Sequence, residues 1–178
     1  MIKSGLATTA IGATSFMASG MVYPNKGSDI IRIGVIGTGD RGGGLINVMN
    51  NISGLDVIAC CDVLPFRLQT GISNTSGKAK GYSDYRKLLD QKDIDAVLIA
   101  TPFNTHSQIA MEAIDADKHV FCEKTLAKGF DGITQLRNKA NNSDKIFQTG
   151  HQYHSSRLYR HVVDLIQNGK VGKVAAIE

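Results

Sequence analysis

Residues 30–42 read Ile-Ile-Arg-Ile-Gly-Val-Ile-Gly-Thr-Gly-Asp-Arg-Gly, and this stretch decides the fold. Its first half is a short, β-branched apolar run, which is typical of a buried parallel strand. Gly37, Gly39 and Gly42 follow with the spacing G-x-G-x-x-G, and a helix is predicted to begin near Arg41. Such glycines make a tight turn, let the backbone approach a pyrophosphate and allow close helix packing. The helix N-terminus then offers N–H groups to the phosphates.

A second apolar strand is predicted at residues 55–61, and Asp62 follows it, twenty residues after Gly42. In a dinucleotide-binding fold, an acid at this position accepts hydrogen bonds from the adenosine ribose and repels a 2′-phosphate, which favours NAD over NADP. Pro65 predicts the start of the next helix, which we expect to carry Arg67 away from the ribose. The alternative for Asp62 is a turn residue at the end of a strand.

The rest of the chain alternates between strand and helix patterns. This alternation predicts βαβ units in an α/β fold with a doubly wound, mainly parallel sheet. Ser83 is expected to cap a short helix that contains Tyr85. Further strands are predicted at residues 96–100, 119–122, 145–149 and from 171 onward, and helices at 131–141 and 155–168. The last helix is amphipathic, with Leu158, Val162, Leu165 and Ile166 on one face, and Gly169 ends it.

Polar residues follow three of these strands, at the sheet edge where ligands of such folds bind. The loop from Thr101 to His106 should face the cofactor, although His106 could equally be a helix-start residue without a role. Lys124 could donate a hydrogen bond to a reacting hydroxyl or carbonyl oxygen, or form an ordinary surface pair with Glu123. After the last of the three strands come the candidate substrate contacts His151, Gln152 and Tyr153.

The composition is typical of a globular domain. The chain has 178 residues, 42% hydrophobic and 20% charged, which gives room for one well-buried domain. A net charge of +4 without any run of more than two Lys or Arg argues against a nucleic-acid partner. Cys60, Cys61 and Cys122 lie in predicted strands, so they read as core residues; no disulfide framework or metal-ligand spacing is visible.

Residues 1–22 differ from the rest, because they are rich in Gly, Ala, Ser and Thr and no charge lies between Lys3 and Lys26. The segment is a poor membrane span and reads as the apolar part of an export signal, with Ala18 and Gly20 suited to cleavage. We therefore expect a periplasmic protein, with a disordered tail on a cytoplasmic protein as the alternative. Only one lysine precedes the segment, and the twin arginine of a Tat-type signal is not visible. We therefore expect that the segment is an export signal, of the Tat type, whose basic start is missing. Residues 23–28 read as a linker.

Several segments together resemble the glucose–fructose oxidoreductase/inositol dehydrogenase (Gfo/Idh/MocA) family. The resemblance covers residues 30–178 in family order and is far more specific than the glycine motif alone. The matching segments are Val-Ile-Gly-Thr-Gly-Asp-Arg-Gly at 35–42, Cys-Asp-Val at 61–63, Asp-Tyr-Arg-Lys-Leu-Leu at 84–89, Asp-Ala-Val-Leu-Ile-Ala-Thr-Pro-Phe-Asn-Thr-His at 95–106 and Lys-His-Val-Phe-Cys-Glu-Lys-Thr-Leu-Ala at 118–127.

The resemblance implies a Rossmann domain over residues 29–170 and hydride transfer between NAD(P) and a sugar or cyclitol carbon. Lys124 matches the lysine of the family's Glu-Lys-Pro motif, which contacts the nicotinamide ribose and the substrate and is the implied catalytic residue. The implied cofactor-binding residues are Gly37, Thr38, Gly39, Asp40, Arg41 and Gly42 at the pyrophosphate, Asp62 at the ribose, Thr101, Pro102, Asn104 and His106 along the nicotinamide half, and Glu123 with Lys124.

Two residues depart from the family pattern. Thr125 stands where the motif has proline, and because threonine strongly prefers a trans peptide bond, the direction of Lys124 is less defined. Asp117 replaces the usual glycine before Lys118, a small change because aspartate tolerates the left-handed conformation.

Family members also carry a second α/β domain, which supplies further acid and base groups. Residues 171–178 resemble the crossing into that domain, so we expect this chain to be the cofactor half of an enzyme. Such a half should bind NAD but turn over poorly, and any homo-oligomer would form through the missing domain. Two alternatives remain: an NAD-dependent glycoside hydrolase, whose Asp40-Arg41 start is similar, and a non-catalytic dinucleotide-binding protein.

Overall fold

The computed structural model describes residues 30–75, 77–173 and 175. Its six strands are all parallel and lie in the order β3-β2-β1-β4-β5-β6. The strands are β1 (Ile31–Ile36), β2 (Leu55–Cys61), β3 (Lys80–Tyr82), β4 (Ala96–Ile99), β5 (His119–Glu123) and β6 (Phe147–Gly150). The helices are α1 (Asp40–Met49), α2 (Pro65–Asn74), α3 (Tyr85–Leu89), α4 (His106–Asp115), α5 (Phe130–Asn141) and α6 (Arg157–Gln167), with 3-10 turns at Phe103–Thr105 and Gln152–Ser155.

The strand order reverses next to β1. From β1 the chain moves outward through β2 to β3, then crosses to β4 on the other side of β1 and continues outward to β6. In such sheets, ligands bind outside the carboxyl ends of the strands at this switch point. The predicted doubly wound parallel sheet is confirmed, and its switch point lies between β1 and β4.

The core covers both faces of the sheet, because successive side chains of a strand point to opposite faces. Val35 of β1 packs in one apolar cluster with Ile46 of α1. Ile36, the next residue, packs in the other cluster with Ala110 of α4. Full burial of a Val or Ile side chain contributes roughly 1.5–3 kcal/mol, so these clusters fix the register of β1 against its neighbours.

The three cysteines are core residues, as predicted. Cys60, Cys61 and Cys122 are at most 3% exposed and none is in a disulfide. Burial raises the pKa of each thiol to about 12. All three therefore stay protonated and unreactive while the sheet is intact.

One prediction at the start of α3 was wrong, and the strand before it was missed. The N-cap is Asp84 and not Ser83, since the Asp84 carboxylate accepts a hydrogen bond of 3.0 Å from the Arg86 backbone N–H. Serine and aspartate are equally good caps, so adjacent candidates cannot be separated by residue type. The strand β3 was not predicted at all. It has three residues, one of them Gly81, and shows no apolar alternation.

The end of α6 follows the prediction. Gly169 has φ +68°, its N–H bonds to the Ile166 carbonyl at 3.0 Å, and the Lys170 N–H bonds to the Leu165 carbonyl at 2.9 Å. This pair of bonds is the Schellman arrangement, which satisfies the last carbonyls of a helix.

The apolar face of α6 is not covered by the described residues. None of the α6 side chains is buried, and Leu158 is 67% exposed. Amphipathicity therefore predicted the helix correctly but not its burial.

Several predictions fall partly or wholly outside the described residues. These include the export-like segment and linker at 1–28 and most of the predicted strand at 171–178; residues 171–173 and 175, which the structure does describe, are not in a strand. Within the described ranges, no helix has the length and apolar character that a membrane crossing requires.

Candidate functional site

The glycine turn packs directly against the end of β4. Gly37 has φ +88°, and a Cβ there would lie 2.7 Å from backbone atoms of Ala100. A Cβ on Gly42 would lie 1.9 Å from the Gly37 carbonyl oxygen. No real side chain tolerates either approach, so both positions require glycine.

The turn leads into the N-terminus of α1, where Gly39 is the N-cap and no side chain caps the helix. The first N–H groups of an α-helix have no partner within the helix, and together with the helix dipole they attract anions. The three atoms nearest to a Cβ on Gly39 would all belong to the Arg67 guanidinium, the closest at 3.4 Å. The nearest obstacle to a ligand that approaches the Gly39 backbone is thus the end of a flexible side chain.

Asp62 is fastened to this turn by backbone hydrogen bonds. Its Oδ2 accepts from the Thr38 N–H at 2.9 Å, and its Oδ1 accepts from the Leu64 N–H at 2.9 Å. A carboxylate has about four acceptor positions, so Asp62 can still accept from two ligand hydroxyls. The Thr38 hydroxyl donates to the Arg67 carbonyl at 2.9 Å, and Thr38 is only 2% exposed. Thr38 therefore holds both Asp62 and α2 in place, since its backbone N–H and its hydroxyl both donate within the protein.

A cavity of about 440 Å³ opens at the switch point beside Asp62. Tyr85 and Ser83, which the sequence reasoning missed, line it. Arg67 lines it too, so the expectation that α2 carries this residue away was wrong. Arg67 is exposed and has no ion-pair partner among the residues described. The predicted cofactor residues that line the cavity are Gly37, Gly39, Asp62, Thr101 and Pro102.

Tyr85 lines the cavity, and a hydrogen bond to α4 fixes its position. Its hydroxyl donates to Glu112 Oε2 at 2.8 Å. Burial and this hydrogen bond raise the pKa of Tyr85 to about 12, so the hydroxyl stays protonated. Because β3 pairs with β2, the residues that follow β3 reach the same edge as Asp62. That pairing was the missing signal, since β3 itself was not predicted.

Arg41 and Glu123 pair with each other near the start of α1. Arg41 Nε and Nη2 donate to Glu123 Oε1 at 2.9 and 2.6 Å, and Glu123 is 3% exposed. A Cβ on Gly150 would lie 2.7 Å from the same carboxylate oxygen. The pair thus links α1 to the ends of β5 and β6. Neither residue lines the cavity, and two of the five N–H donors of Arg41 are used in this pair.

Lys124 follows β5 and is exposed, outside the walls of the cavity. The peptide bond between Lys124 and Thr125 is cis, which differs from the trans bond expected for threonine. Asp117, at the other departure from the family pattern, has φ +65°, as expected of an aspartate that replaces glycine.

His106 and Asn104 do not line the cavity either. His106 is 1% exposed, and its ring nitrogens lie 2.9 Å from the Thr125 carbonyl oxygen and 2.7 Å from the Thr101 carbonyl oxygen. Its ring is therefore occupied within the protein, in contrast to the expectation that it faces the cofactor. Asn104 is exposed in the 3-10 turn before α4.

The candidate substrate residues lie apart from this cavity. His151, Gln152 and Tyr153 are exposed after β6, and the Tyr153 ring stacks on Tyr159 with a centroid distance of 5.1 Å. Tyr153 lines a separate concavity along α6. The described residues do not bring these three side chains to Asp62. Nor do the described ranges contain a group of three or more His, Cys, Asp or Glu side chains that could hold a metal ion.

The arrangement fits a dinucleotide. The uncapped helix start at Gly39 suits a diphosphate, and the anchored carboxylate suits a ribose. The family model described as "Oxidoreductase family, NAD-binding Rossmann fold" matches residues 31–151.

Curated relatives and solved structures extend this match. The chain is 30% identical over 145 residues to an inositol 2-dehydrogenase of Salmonella typhimurium, covering 80% of the chain and 43% of the relative. It is 29% identical over 163 residues to a glycosyl hydrolase family 109 protein of Shewanella pealeana, covering 87% and 35%. The solved scyllo-inositol dehydrogenase of Lactobacillus casei with bound NAD(H) and scyllo-inositol superposes with a TM-score of 0.74 at 28% identity, covering 80% and 42%. The chain thus spans less than half the length of these relatives.

Proposed function

The chain belongs to the Gfo/Idh/MocA family of oxidoreductases with an NAD-binding Rossmann fold, and from this premise we propose that it forms the cofactor-binding part of an NAD-dependent oxidoreductase. The proposed substrate is a cyclitol, sugar or sugar derivative. The names of the inositol dehydrogenase relatives support this substrate class.

The observation that carries the proposal is the bond between the Thr38 N–H and Asp62. It fixes a carboxylate beside the glycine turn, so one cavity offers an anion site and a ribose acceptor a short distance apart. An NAD adenosine diphosphate needs both. Repulsion between the Asp62 carboxylate and a 2′-phosphate supports NAD over NADP.

When bound, the nicotinamide ring supplies hydride acceptance or donation. The chain's own contribution is to hold the dinucleotide along the strand ends and to place Lys124 after β5. We propose that the Lys124 ammonium donates a hydrogen bond to the substrate oxygen whose carbon exchanges the hydride, and stabilises charge on that oxygen. Lys124 is exposed, so its side chain is accessible for this role.

Cofactor binding is the first test. Calorimetry on the protein, stripped of any nucleotide that copurifies, is expected to give heat with NAD and weaker binding of NADP. Absence of heat with either nucleotide would overturn the proposal. Binding is tested before turnover because the chain spans less than half the length of the relatives whose activities support the substrate class.

The role of Lys124 has its own prediction, in the longest natural protein that contains this chain. Replacing Lys124 with Met should lower kcat by about 10²-fold or more while changing the Kd for NAD little, because the lost interaction acts on the reacting oxygen. Lys128→Met removes the same charge from the same loop and is the control. Near-normal turnover of Lys124→Met, or equal losses in both variants, would remove Lys124 from the chemistry.

Glycoside hydrolysis is the second candidate, favoured by the similarity to glycosyl hydrolase family 109 proteins. Release of a chromogenic leaving group without net NADH formation would support it. Net NADH formation with free cyclitols or sugars would support the oxidoreductase. NAD binding without turnover on either panel would leave a dinucleotide-binding protein without catalysis.

A further inference from the structure

His106 makes an unusual pair of contacts. It is the first residue of α4, and its side chain is 1% exposed. Nδ1 lies 2.9 Å from the Thr125 carbonyl oxygen, and Nε2 lies 2.7 Å from the Thr101 carbonyl oxygen. Both partners are backbone carbonyls, which can only accept hydrogen bonds.

The two carbonyls belong to different strand ends. Thr101 follows β4 and lines the cavity beside Asp62. Thr125 follows β5, next to Lys124 in the chain. One buried ring therefore spans the wall of the cavity and the segment that carries the lysine.

No second described hydrogen bond holds the segment that contains Thr125, residues 124–128. For residues 124–128, the structure's described part gives one hydrogen bond, and this is the contact between His106 Nδ1 and the Thr125 carbonyl. Apolar packing of Ala127 and Leu126 holds the segment on the core, but packing alone does not set the direction of its backbone. The polar anchor that does so is His106.

We propose that His106 is a positioning residue whose ring carries hydrogen on both nitrogens and ties the segment after β5 to the segment after β4. A neutral imidazole has one N–H donor and one bare nitrogen. The bare nitrogen would set its lone pair against a carbonyl oxygen at 2.7 or 2.9 Å. Only a ring with two N–H groups makes both contacts favourable, and charge-assisted hydrogen bonds of this kind offset part of the penalty of burying the cation.

The consequence for activity rests on the proposed function, because it concerns where Lys124 points. The link that His106 makes between the two segments does not rest on it, because this link is a property of the folded chain without nucleotide or substrate. Either proposal can therefore fail while the other stands.

The first experiment reads the ring directly in the unaltered protein. Histidine labelled with ¹⁵N at both ring nitrogens should show, for His106 at neutral pH, an N–H signal at each nitrogen, both protected from exchange with solvent. His106→Phe assigns the signals by their disappearance, and if that variant does not fold, His106→Gln does so. A single N–H, with the other nitrogen bare, would overturn the proposal.

The second experiment separates positioning from filling the core. His106→Phe keeps a ring of similar size but removes both hydrogen bonds. The backbone ¹³C resonances of the Thr101 and Thr125 carbonyls should therefore both move upfield, as expected when a carbonyl loses a hydrogen-bond donor, with the carbonyl resonances of β1 unchanged. Thr105→Ala is the matched control, because it removes a 2.8 Å contact to the Thr101 hydroxyl and touches only the segment after β4. An unchanged Thr125 carbonyl resonance in His106→Phe would contradict the tie.

Discussion

Asp62 has a structural interaction and a proposed cofactor contact, and a substitution must distinguish the two. Its carboxylate holds the Thr38 N–H and should also accept from a ribose. We predict that Asp62→Asn, which keeps an oxygen for the Thr38 N–H but leaves the Leu64 N–H without its acceptor, costs about 1 kcal/mol of stability. It should shift the ratio of NAD to NADP affinity toward NADP by about tenfold, because the charge that repels a 2′-phosphate is gone. Calorimetric titration with both nucleotides measures the ratio. An unchanged ratio would take Asp62 out of cofactor selection.

Arg67 gives a second prediction, with the opposite sign. Its guanidinium lies in the cavity that Asp62 lines, and it can attract the extra phosphate of NADP. Arg67→Ala should therefore weaken NADP more than NAD, by roughly tenfold in relative affinity. Arg137→Ala, which removes an exposed arginine from α5, is the control for net charge. Equal effects on the two nucleotides would show that Arg67 does not contact the 2′-position.

For single residues, a position in the site could be predicted where the path of the backbone determines it. It could not be predicted where it depends on the direction of a side chain. The sequence placed Gly37, Gly39 and Asp62 together, because a strand, a turn and the next strand leave little freedom. It did not show that Arg67 lines the cavity, and it left open whether His106 faces the cofactor or only begins a helix. Pro65 does start α2, but the direction of Arg67 depends on packing that sequence spacing does not contain. The cofactor roles of all these residues remain predictions.

Among the elements, α1 shows how differently three adjacent glycines are used. A Cβ on Gly42 would collide with the Gly37 carbonyl, whereas one on Gly44 would meet no atom within 4 Å. We predict that Gly44→Ala stabilises the protein by about 0.5–1 kcal/mol, since alanine has less backbone freedom to lose. Gly42→Ala should destabilise it by about 2 kcal/mol or more. Urea unfolding measures both, and a stabilising Gly42→Ala would contradict the described turn.

The link between α3 and α4 gives a pH prediction. Burial opposes ionisation of Glu112, but hydrogen bonds from Gln108 and Tyr85 and the charge of Arg86 outweigh it, so the pKa of Glu112 is below its ordinary value of 4.5. A carboxyl whose pKa is lowered by folding contributes stability above its unfolded pKa and loses it as the pH falls through the folded pKa. Glu112→Gln should thus lower the free energy of unfolding near neutral pH, and the deficit should shrink below about pH 4.5.

Urea unfolding of both proteins from neutral pH to about pH 3 measures this deficit. Asp56→Asn is the control, because in the part of the chain that the structure describes Asp56 is exposed and makes no side-chain hydrogen bond. A deficit that is constant with pH would mean that Glu112 stabilises the link without its charge.

Element boundaries were predicted to within two residues where a cap or a proline marks them, as at Pro65 and Gly169. The strand β3 was missed because three residues with a central glycine carry no periodic signal. Its position depends on pairing with β2, which is a tertiary contact.

For the whole molecule, the sheet type and the doubly wound order followed from the alternation of strands and helices, since a parallel sheet needs a crossover after each strand. The surroundings of α6 could not be predicted in the same way. Its sequence has a clear apolar face, yet Leu158 and Val162 are exposed among the described residues. A hydrophobic pattern says that a face is apolar and does not say what covers it. For the same reason, His151, Gln152 and Tyr153 could be placed after β6 but not brought to the cavity.

The three buried thiols can report local opening of the sheet. Cys60 and Cys61 lie in β2 and Cys122 lies in β5, so they flank the central pair β1 and β4 on opposite sides. A thiol reagent can modify them only when that flank opens, because the thiolate does not form in the closed sheet. The labelling rates of the two flanks would time their opening separately. Slower labelling with bound nucleotide would then reveal which side the ligand locks.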